Sequence, residues 1–488
     1  MTDPTTSAPP PPRPRAPADT DQAARVQART NRTVDLPVRL PALRARYRAA
    51  LRATLGRLVP PGSRVLDLGC GDGELLAALR PAHGVGLDLS PAAIARAQRL
   101  HPEPTLRFAV GDVALLEPPA DGPFDFVLLV NLVGELTDVQ GALERVRACC
   151  TPATRVVIVT KNYLWQPLVA LAELLGLKVA QEPQNWLTPG QLQRLGELAG
   201  LEPLLAGGRG LVPLPGGERL DRVLTLLPGL EHLCWIEHLV LRPSPAGPAR
   251  EPSVTVVVPC KDERGNVAET IRSVPKLGSY TELLFVDGHS TDGTVEEIRR
   301  HQGDNPQLDR VRVLVQPGRG KADAVRLGFD EARGEILLIL DSDNTVRGED
   351  LPKFYALLAS GRAEFVNGSR LVYPMEDQAM RQLNLVANHL FGRTFSWLLG
   401  QPLTDTLCGT KGLYRRDWLR IREQRQEFGE DPFGDFDLLF GAAKNLLKIQ
   451  EIPVRYRRRA YGEIKIQRFR NGLQLLRMAA RGWRIFKG

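Results

Sequence analysis

The chain has 488 residues and a formal net charge of +8, from 64 lysine and arginine residues against 56 aspartate and glutamate residues. This length exceeds one ordinary hydrophobic core and therefore predicts at least two domains. The charge is mild for the length; it suits phosphate-bearing substrates or an anionic membrane surface without distinguishing them. The sequence has no nucleic-acid-binding motif, so nucleic acid is not expected as a partner.

Cysteine usage and hydropathy indicate the compartment. The six cysteines lack metal-ligand spacing, which favours reduced thiols in the cytoplasm. No signal peptide opens the chain, and no uncharged apolar run reaches the length of a membrane span. Both domains are therefore expected to face the cytoplasm, with peripheral attachment to the inner face of the membrane as an alternative.

Composition divides the chain into five parts. Residues 1–32 are rich in Pro, Thr, Ala and Arg and are expected to be a disordered tail. Residues 33–241 open with a helical pattern and then alternate strand-like with helix-like segments, which predicts a parallel sheet covered by helices. The Pro/Gly-rich residues 242–252 are typical of a linker. Residues 253–470 predict a second α/β domain, and residues 471–488 a basic amphipathic helix.

A glycine-rich segment follows the first predicted strand of the N-terminal domain, "VLDLGCGDGELLAAL". Its glycines let the backbone approach a ligand closely, and the helix start offers free amides. The second strand ends in Asp88, where doubly wound folds place a ribose-binding acid, and the third ends in Asp112. Helix packing is an alternative explanation for Gly73, and capping is one for Asp112.

These motifs, with "GLDLS", "VGD" and "FDFVLLVN", resemble the class I S-adenosylmethionine-dependent methyltransferases over about residues 60 to 240. The resemblance implies a Rossmann-like sheet with S-adenosylmethionine as the cofactor. It assigns the ribose hydroxyls to Asp88, the surroundings of the adenine to Asp112 and Val113, and the reaction site to Asn131. The residues implied to hold the methionine part and shape the loop are Asp67, Gly69, Gly71 and Gly73. The methyl acceptor stays open.

The C-terminal domain places two carboxylates, Asp341 and Asp343, directly after the apolar strand "EILLIL". Such a pair at a strand end suits Mg²⁺ or Mn²⁺, because hard cations take oxygen ligands and commonly share substrate phosphates. A solvated acidic turn is the alternative. Three further motifs in order argue against that alternative: strands ending at Pro259 and Asp287, and a basic glycine loop with Lys321.

Together these motifs resemble the family-2 glycosyltransferases with a GT-A fold, most closely their dolichyl-phosphate sugar synthase branch, over about residues 252 to 470. The resemblance implies a nucleotide-diphosphate sugar as donor and a polyprenyl phosphate at the membrane surface, or another molecule, as acceptor. Asp341 and Asp343 would hold the metal. The implied donor-binding residues are Pro259, Glu263, Asp287, Lys321, Asp341, Ser342, Asp343, Arg370, Arg459 and Lys465.

The sequence departs from this family on the acceptor side. Ile464 replaces a serine, and "DTLCGTKG" replaces the usual D-x-x-S-G-F-R pattern. Asp435 and Asp437 precede a predicted helix and are the candidate catalytic residues. Inversion with a hydroxyl acceptor needs a base, whereas a phosphate acceptor does not. Asp437 suits the base, a helix cap or a residue that orients a neighbour about equally well.

The leading hypothesis is a bifunctional enzyme, with methyl transfer in the N-terminal domain and metal-dependent, inverting sugar transfer in the C-terminal domain. One alternative is a glycosyltransferase whose N-terminal domain only binds S-adenosylmethionine or acts as a scaffold. Another is a nucleotidyltransferase, because that class also uses strand-end carboxylates and metal ions.

Overall fold

The computed structural model describes residues 17–33, 40–175, 177, 184–212, 216–217, 220–221, 224, 229–245, 251–370, 382–428, 431, 434–455, 457, 461 and 468–487. Two compact units are present, Met1–Ser244 and Pro245–Gly488. Each contains one seven-stranded sheet flanked by helices, so the predicted α/β class with two sheets in tandem is confirmed.

The sheet of the N-terminal unit has the strand order β3-β2-β1-β4-β5-β7-β6. Strands β1 to β5 pair in parallel, and β7 is antiparallel to both β5 and β6. The carboxyl ends of the parallel strands consequently meet at one edge, where ligands of such sheets bind. The strands are β1 Arg64–Leu68, β2 His83–Asp88, β3 Leu106–Val110, β4 Phe126–Val130, β5 Arg155–Lys161, β6 Leu201–Arg209 and β7 Ile236–Pro243.

Seven α-helices belong to the described part of this unit: α1 Pro17–Thr33, α2 Pro41–Leu58, α3 Glu74–Ala78, α4 Pro91–Leu100, α5 Val139–Ala148, α6 Gln166–Leu174 and α7 Pro189–Leu198. Short 3-10 turns occupy Val113–Leu115, Tyr163–Trp165 and Leu230–Leu233. Side-chain caps fix several helix starts, because an oxygen at the N-cap satisfies a free backbone amide. Ser90, for example, accepts from the amide of Ala93 at the start of α4.

Two of the predicted boundaries were wrong. Residues 17–32 of the expected disordered tail belong to helix α1. Beyond the proline run, this segment is rich in Ala, Gln and Arg, which favour helix, and several of its side chains hydrogen-bond to the N-terminal unit. Arg242 and Pro243, assigned to the linker, instead complete β7, because they pair with Glu202 and Leu201 of β6.

The sheet of the C-terminal unit has the order β10-β9-β8-β11-β13-β12-β14. Strand β13 is antiparallel to β11 and β12, and the other neighbours are parallel. Strands β8, β9 and β11 are buried along their whole length, as expected for parallel strands covered on both faces. The strands are β8 Val254–Cys260, β9 Thr281–Asp287, β10 Arg310–Val315, β11 Ile336–Ile339, β12 Phe365–Ser369, β13 Lys411–Tyr414 and β14 Ile449–Pro453.

The helices of the C-terminal unit are α8 Val267–Ser273, α9 Thr294–His301, α10 Lys321–Glu331, α11 Leu351–Ala359, α12 Gln382–Leu399, α13 Arg415–Glu423, α14 Arg425–Phe428, α15 Phe436–Lys444 and α16 Arg468–Phe486, with 3-10 turns at Arg264–Asn266 and Gly348–Asp350. The basic C-terminal helix α16 begins three residues before the predicted 471. Its Leu475 and Met478 are buried in the core, whereas Leu476 is 58% exposed. Among the described residues, no helix is both long enough and apolar enough to cross a membrane.

Aromatic packing provides a test of the core of the C-terminal unit. Phe329 of α10 is fully buried and meets Trp418 of α13 edge-on, with 5.3 Å between ring centroids. Truncation to alanine removes these contacts and leaves a cavity, so Phe329→Ala should lower the free energy of unfolding by about 3–5 kcal/mol. Urea denaturation measures this change. The exposed Leu476→Ala is the matched control, and a loss below about 1 kcal/mol for Phe329→Ala would contradict the packing.

Candidate functional sites

The glycine loop of the N-terminal unit starts at the carboxyl end of β1. All three predicted glycines have positive φ angles, +75° at Gly69, +56° at Gly71 and +75° at Gly73. A Cβ atom added at Gly71 would meet no atom within 4 Å, so open space lies beside this backbone. At Gly73 an added Cβ would lie 2.7 Å from the ring of Phe108, so this glycine is also required for packing.

Asp67 is buried beneath the loop. Its side chain is 2% exposed, and its Oδ1 has no hydrogen-bond partner among the described residues. Burial, reinforced by the nearby charge of Asp88, raises the pKa of Asp67 to about 7. A buried carboxylate oxygen without a partner is costly, and a cationic or hydrogen-bond-donating group of a ligand would satisfy it.

Asp88 holds the loop together through its two carboxylate oxygens. One accepts from the amide of Gly71 and the other from the amide of Ser90, each at 2.9 Å. Burial raises the pKa of Asp88, and these amide hydrogen bonds oppose that rise. The predicted ribose acid is therefore also the residue that links the ends of β1 and β2.

A cavity of about 210 Å³ opens at this sheet edge. Five of the eight predicted cofactor residues line it, and the remaining three, Asp67, Gly71 and Gly73, shape the loop behind it. The lining residues among the predicted set are Gly69, Asp88, Asp112, Val113 and Asn131. Asp112 also caps the following 3-10 turn by accepting from the amide of Ala114 at 2.9 Å, so this residue both caps the turn and lines the cavity.

Asn131 is fixed by a residue that the sequence analysis missed. Tyr47 of α2 donates its hydroxyl to Asn131 Oδ1 at 2.7 Å and packs edge-on against Trp235. Burial raises the pKa of Tyr47, which keeps the hydroxyl protonated as a donor. The contact joins positions 84 residues apart, and its only sequence signal is a single tyrosine in a helical pattern otherwise rich in Ala, Leu and Arg.

In the C-terminal unit, Asp341 lies just beyond β11 and pairs with Lys321, the first residue of α10, at 2.6 Å. Burial alone would raise the pKa of Asp341. The positive charges of Lys321, Lys411 and Arg370 outweigh burial and hold the pKa of this carboxyl below its ordinary value. Asp341 is therefore a carboxylate at neutral pH, the form that a metal ligand requires.

The second acid of the pair, Asp343, accepts from the amide of Thr345 at 3.1 Å and from its hydroxyl at 2.8 Å through Oδ1. Ser342 between the two acids is partly exposed. Carboxylate oxygens are the donor type that Mg²⁺ and Mn²⁺ prefer, so the pair fits such an ion. In the described part of the chain, no group of three or more His, Cys, Asp or Glu side chains is arranged to hold a metal ion.

The predicted base-binding residues lie at the ends of β8 and β9. Asp287 is 2% exposed; its Oδ2 accepts from the amide of Ser290 at 3.0 Å, and its Oδ1 has no partner among the described residues. Glu263 is buried and accepts from Asn266 at 2.7 Å. Pro259 pairs in register with β9, one position before Asp287. The open oxygen of Asp287 suits an N–H donor such as those on a nucleotide base.

Two acids of the acceptor-side sequence neutralise cations near Asp341. Asp405 accepts two hydrogen bonds from Arg370, one from Nε to Oδ2 at 2.7 Å and one from Nη2 to Oδ1 at 2.9 Å. Asp435 pairs with the fully buried Lys411 at 2.9 Å. Both Asp405 and Lys411 belong to "DTLCGTKG". Asp405 keeps the acid of the D-x-x-S-G-F-R pattern, and Lys411 stands where that pattern has an arginine.

The two candidate catalytic acids have different surroundings. Burial would lower the pKa of Lys321, but the negative charges of Asp341 and Asp435 outweigh it and raise this pKa. Asp437 instead pairs with Arg326 of α10. Burial and the neighbouring Asp431 raise the pKa of Asp437, while Arg326 opposes the rise. The remaining predicted donor residues, Arg459 and Lys465, lie outside the described part of the chain.

Each unit matches a family of known proteins. Residues 255–421 match the family described as glycosyl transferase family 2. The dolichyl-phosphate hexose transferase of Haloferax volcanii is 30% identical over 220 residues, 45% of this chain and 89% of that protein. The chain belongs to glycosyltransferase family 2. Residues 42–206 match the description methyltransferase domain, so this glycosyltransferase also carries a methyltransferase domain.

A second relative matches a shorter part of the C-terminal unit. The dolichol-phosphate mannosyltransferase of Saccharomyces cerevisiae is 37% identical over 112 residues, 21% of this chain and 40% of that protein. Among solved structures, the magnesium protoporphyrin IX methyltransferase of Synechocystis is 16% identical, with a TM-score of 0.35, covering 46% of this chain and 100% of that chain. The two family matches, residues 255–421 and 42–206, confirm both resemblances stated from the sequence motifs at the level of family.

The raised pKa of Asp67 predicts a pH-dependent stability of the methyltransferase unit. Because the folded pKa of about 7 exceeds the unfolded value of about 3.9, stability falls as pH rises between them. Asp67→Asn removes the buried charge and should stabilise the ligand-free unit by about 2–4 kcal/mol at pH 8, with little gain near pH 4.

Thermal denaturation at pH 4.5, 6 and 8 measures this difference. Asp121→Asn is the control, because Asp121 is a more exposed carboxylate whose ion pair with Arg107 lies at the surface. If Asp67→Asn is no more stable than the wild type at pH 8, the buried carboxylate of Asp67 does not destabilise the unit. That result would contradict the prediction.

Proposed function

We propose that this chain is a bifunctional transferase, in which the N-terminal unit transfers a methyl group from S-adenosylmethionine and the C-terminal unit transfers a sugar from a nucleotide-diphosphate sugar. One observation carries the proposal. Each sheet has, at its ligand-binding edge, a buried acid with one carboxylate oxygen that lacks a partner among the described residues, Asp67 Oδ1 and Asp287 Oδ1. Such oxygens match hydrogen-bond donors on a bound ligand.

In the methyltransferase unit, S-adenosylmethionine supplies the activated methyl group. Asp67 and the glycine loop would hold its amino-acid end, Asp88 its ribose, and Asp112 and Val113 its adenine. The chain's own contribution is alignment of the acceptor with the methyl carbon, which needs no metal ion or dedicated base. Asn131, fixed by Tyr47, would line the path of the acceptor.

In the glycosyltransferase unit, the nucleotide base would lie between the ends of β8 and β9, against Asp287 and Glu263. Asp341 and Asp343 would hold Mg²⁺ or Mn²⁺, an ion that neutralises the charge developing on the leaving diphosphate when it is bound. Lys321 would add charge-assisted hydrogen bonds to the same phosphates. Arg370 would add a further positive charge near these phosphates, and the family resemblance assigns phosphate contacts to Arg459 and Lys465 as well.

A polyprenyl phosphate is the proposed sugar acceptor. Several similar proteins are named as transferases to dolichyl phosphate, and a phosphate oxygen attacks without first losing a proton to a base. The site would then work peripherally at the cytoplasmic face of a membrane. Under this proposal Asp435 balances the charge of Lys411, and Asp437 is a positioning residue that anchors α10 and thereby Lys321.

Matched variants separate the two activities. Asp88→Ala removes the acceptor for two loop amides and should weaken S-adenosylmethionine binding by about 10- to 100-fold, without changing sugar transfer. Asp341→Asn should lower sugar transfer by at least about 100-fold and leave S-adenosylmethionine binding intact. Calorimetry measures the first, and release of nucleoside diphosphate in the presence of polyprenyl phosphate measures the second.

The same assays distinguish the alternatives. Asp121→Asn and Asp350→Asn are the controls, because these carboxylates pair at the surface with Arg107 and Lys353. Release of pyrophosphate in place of nucleoside diphosphate would identify a nucleotidyltransferase. S-adenosylmethionine binding without methyl transfer to any lipid, glycan or small acceptor from the source cells would support a scaffold. Full sugar transfer by Asp341→Asn would refute the metal role.

Steady-state kinetics test the positioning role of Asp437. Asp437→Asn should raise the KM for the nucleotide sugar by about 10-fold, because α10 loses its anchor, while the pH dependence of kcat is unchanged. Arg326→Gln should reproduce this effect, since it removes the other half of the pair. A base would behave differently: kcat would fall by about 100-fold or more and the acidic limb of its pH profile would disappear.

A further inference from the structure

Helix α1 lies before the matched methyltransferase region, residues 42–206, and carries none of the cofactor motifs. It nevertheless forms one wall of the methyltransferase cavity. Six of its residues line the space beside Asp88, Asp112 and Asn131: Gln22, Ala23, Val26, Gln27, Arg29 and Thr30. We propose that α1 is a closing element of the cofactor site and that Arg29 is the positioning residue that holds it closed through Glu135.

Hydrogen bonds attach α1 to both sides of the cavity. On the ribose side, Gln27 donates its side-chain amide to the carbonyl of Leu89 at 2.8 Å, directly after Asp88. The hydroxyl of Ser90 also bonds to the side-chain oxygen of Asn31. On the reaction side, Gln22 donates to the carbonyl of Glu135 at 3.1 Å. The helix therefore spans the cavity from one wall to the other.

The ion pair between Arg29 and Glu135 is the charged contact of this wall. The distance from Arg29 Nη2 to Glu135 Oε2 is 3.1 Å, and the two side chains are only 15% and 13% exposed. The other oxygen of Glu135 accepts from the side-chain amide of Gln184 at 2.6 Å. This second hydrogen bond orients the carboxylate that pairs with Arg29. A pre-oriented, largely buried ion pair is stronger than an exposed one, because water screens it less.

The same helix offers an internal control. Arg25, one turn earlier, pairs with Asp21 at 2.6 Å, and both side chains are more than 60% exposed. Arg25 does not line the cavity. Replacement of either arginine removes one positive charge from the same helix, but only the Arg29 change breaks a contact between α1 and the rest of the unit.

This arrangement implies that cofactor exchange requires α1 to move. While Arg29 and the two glutamines remain in contact, α1 covers the stretch between the ribose acid and Asn131. A ligand that binds beneath the helix is shielded from water and leaves only after these contacts open. Loss of the ion pair should therefore accelerate dissociation of the ligand more than it slows association.

The test measures the dissociation rate and Kd of S-adenosylhomocysteine, used as the probe, on the full chain. Arg29→Ala should raise both by about tenfold, and Arg25→Ala should leave both within about twofold of the wild type. Glu135→Gln should match Arg29→Ala, and the double variant should add little, because both changes remove one interaction. Hydrogen exchange of residues 21–32 should slow in the wild type when the probe binds.

The inference rests on the proposed cofactor function, and the experiment separates the two. If the wild type does not bind S-adenosylhomocysteine, the proposed function fails. If the wild type binds it, but Arg29→Ala and Glu135→Gln keep the wild-type dissociation rate and residues 21–32 gain no protection, the closing role of α1 is overturned. Thermal denaturation of each variant establishes that the methyltransferase unit is folded, and Arg29→Lys should restore part of the slow dissociation.

Discussion

Both halves of this protein depend on buried or half-buried acidic side chains at the carboxyl ends of parallel strands. A buried carboxylate is unfavourable unless amides, cations or a ligand compensate its charge. The two units compensate differently. In the methyltransferase unit, backbone amides hold Asp88 while Asp67 keeps an elevated pKa. In the glycosyltransferase unit, cations surround Asp341 and keep it ionised.

This difference follows from the chemistry proposed for each edge. S-adenosylmethionine brings its own positive charge, so a site with uncompensated negative charge can receive it. A nucleotide-diphosphate sugar brings negative charge, so its site needs cations, and Lys321, Lys411 and Arg370 provide them. Asp405 and Asp435 in turn hold two of these cations in place, which limits the freedom of the cationic side chains before a ligand binds.

The features that the sequence predicted best are those encoded locally. Apolar strands followed by acids indicated the two sheets and placed Asp88 and Asp341 at strand ends, because the end of a strand is visible in a short window. Helix α1 was missed because the proline run before residue 17 suggested disorder, whereas its contacts with Leu89 and Glu135 come from distant parts of the chain.

Two other contacts could not be predicted, because their partners also come from distant parts of the chain. The bond between Tyr47 and Asn131 joins positions 84 residues apart, and the pair of Lys411 with Asp435 joins a strand to the start of a helix. Neither has a sequence signature, because partner choice depends on how the strands are ordered in the sheet. The sequence indicated the pair of Lys411 with Asp435 only indirectly, because Lys411 belongs to the segment "DTLCGTKG", which departs from the family pattern.

Under this proposal, one chain holds two separate ligand sites of opposite charge preference. Differential scanning fluorimetry tests it directly, with UDP-, GDP- and dTDP-sugars in the presence of Mg²⁺ or Mn²⁺ and with S-adenosylmethionine in parallel. We expect a metal-dependent stabilisation by one nucleotide sugar, a metal-independent stabilisation by S-adenosylmethionine, and additive shifts when both are present. Folded protein that responds to neither ligand, or two ligands that compete, would contradict it.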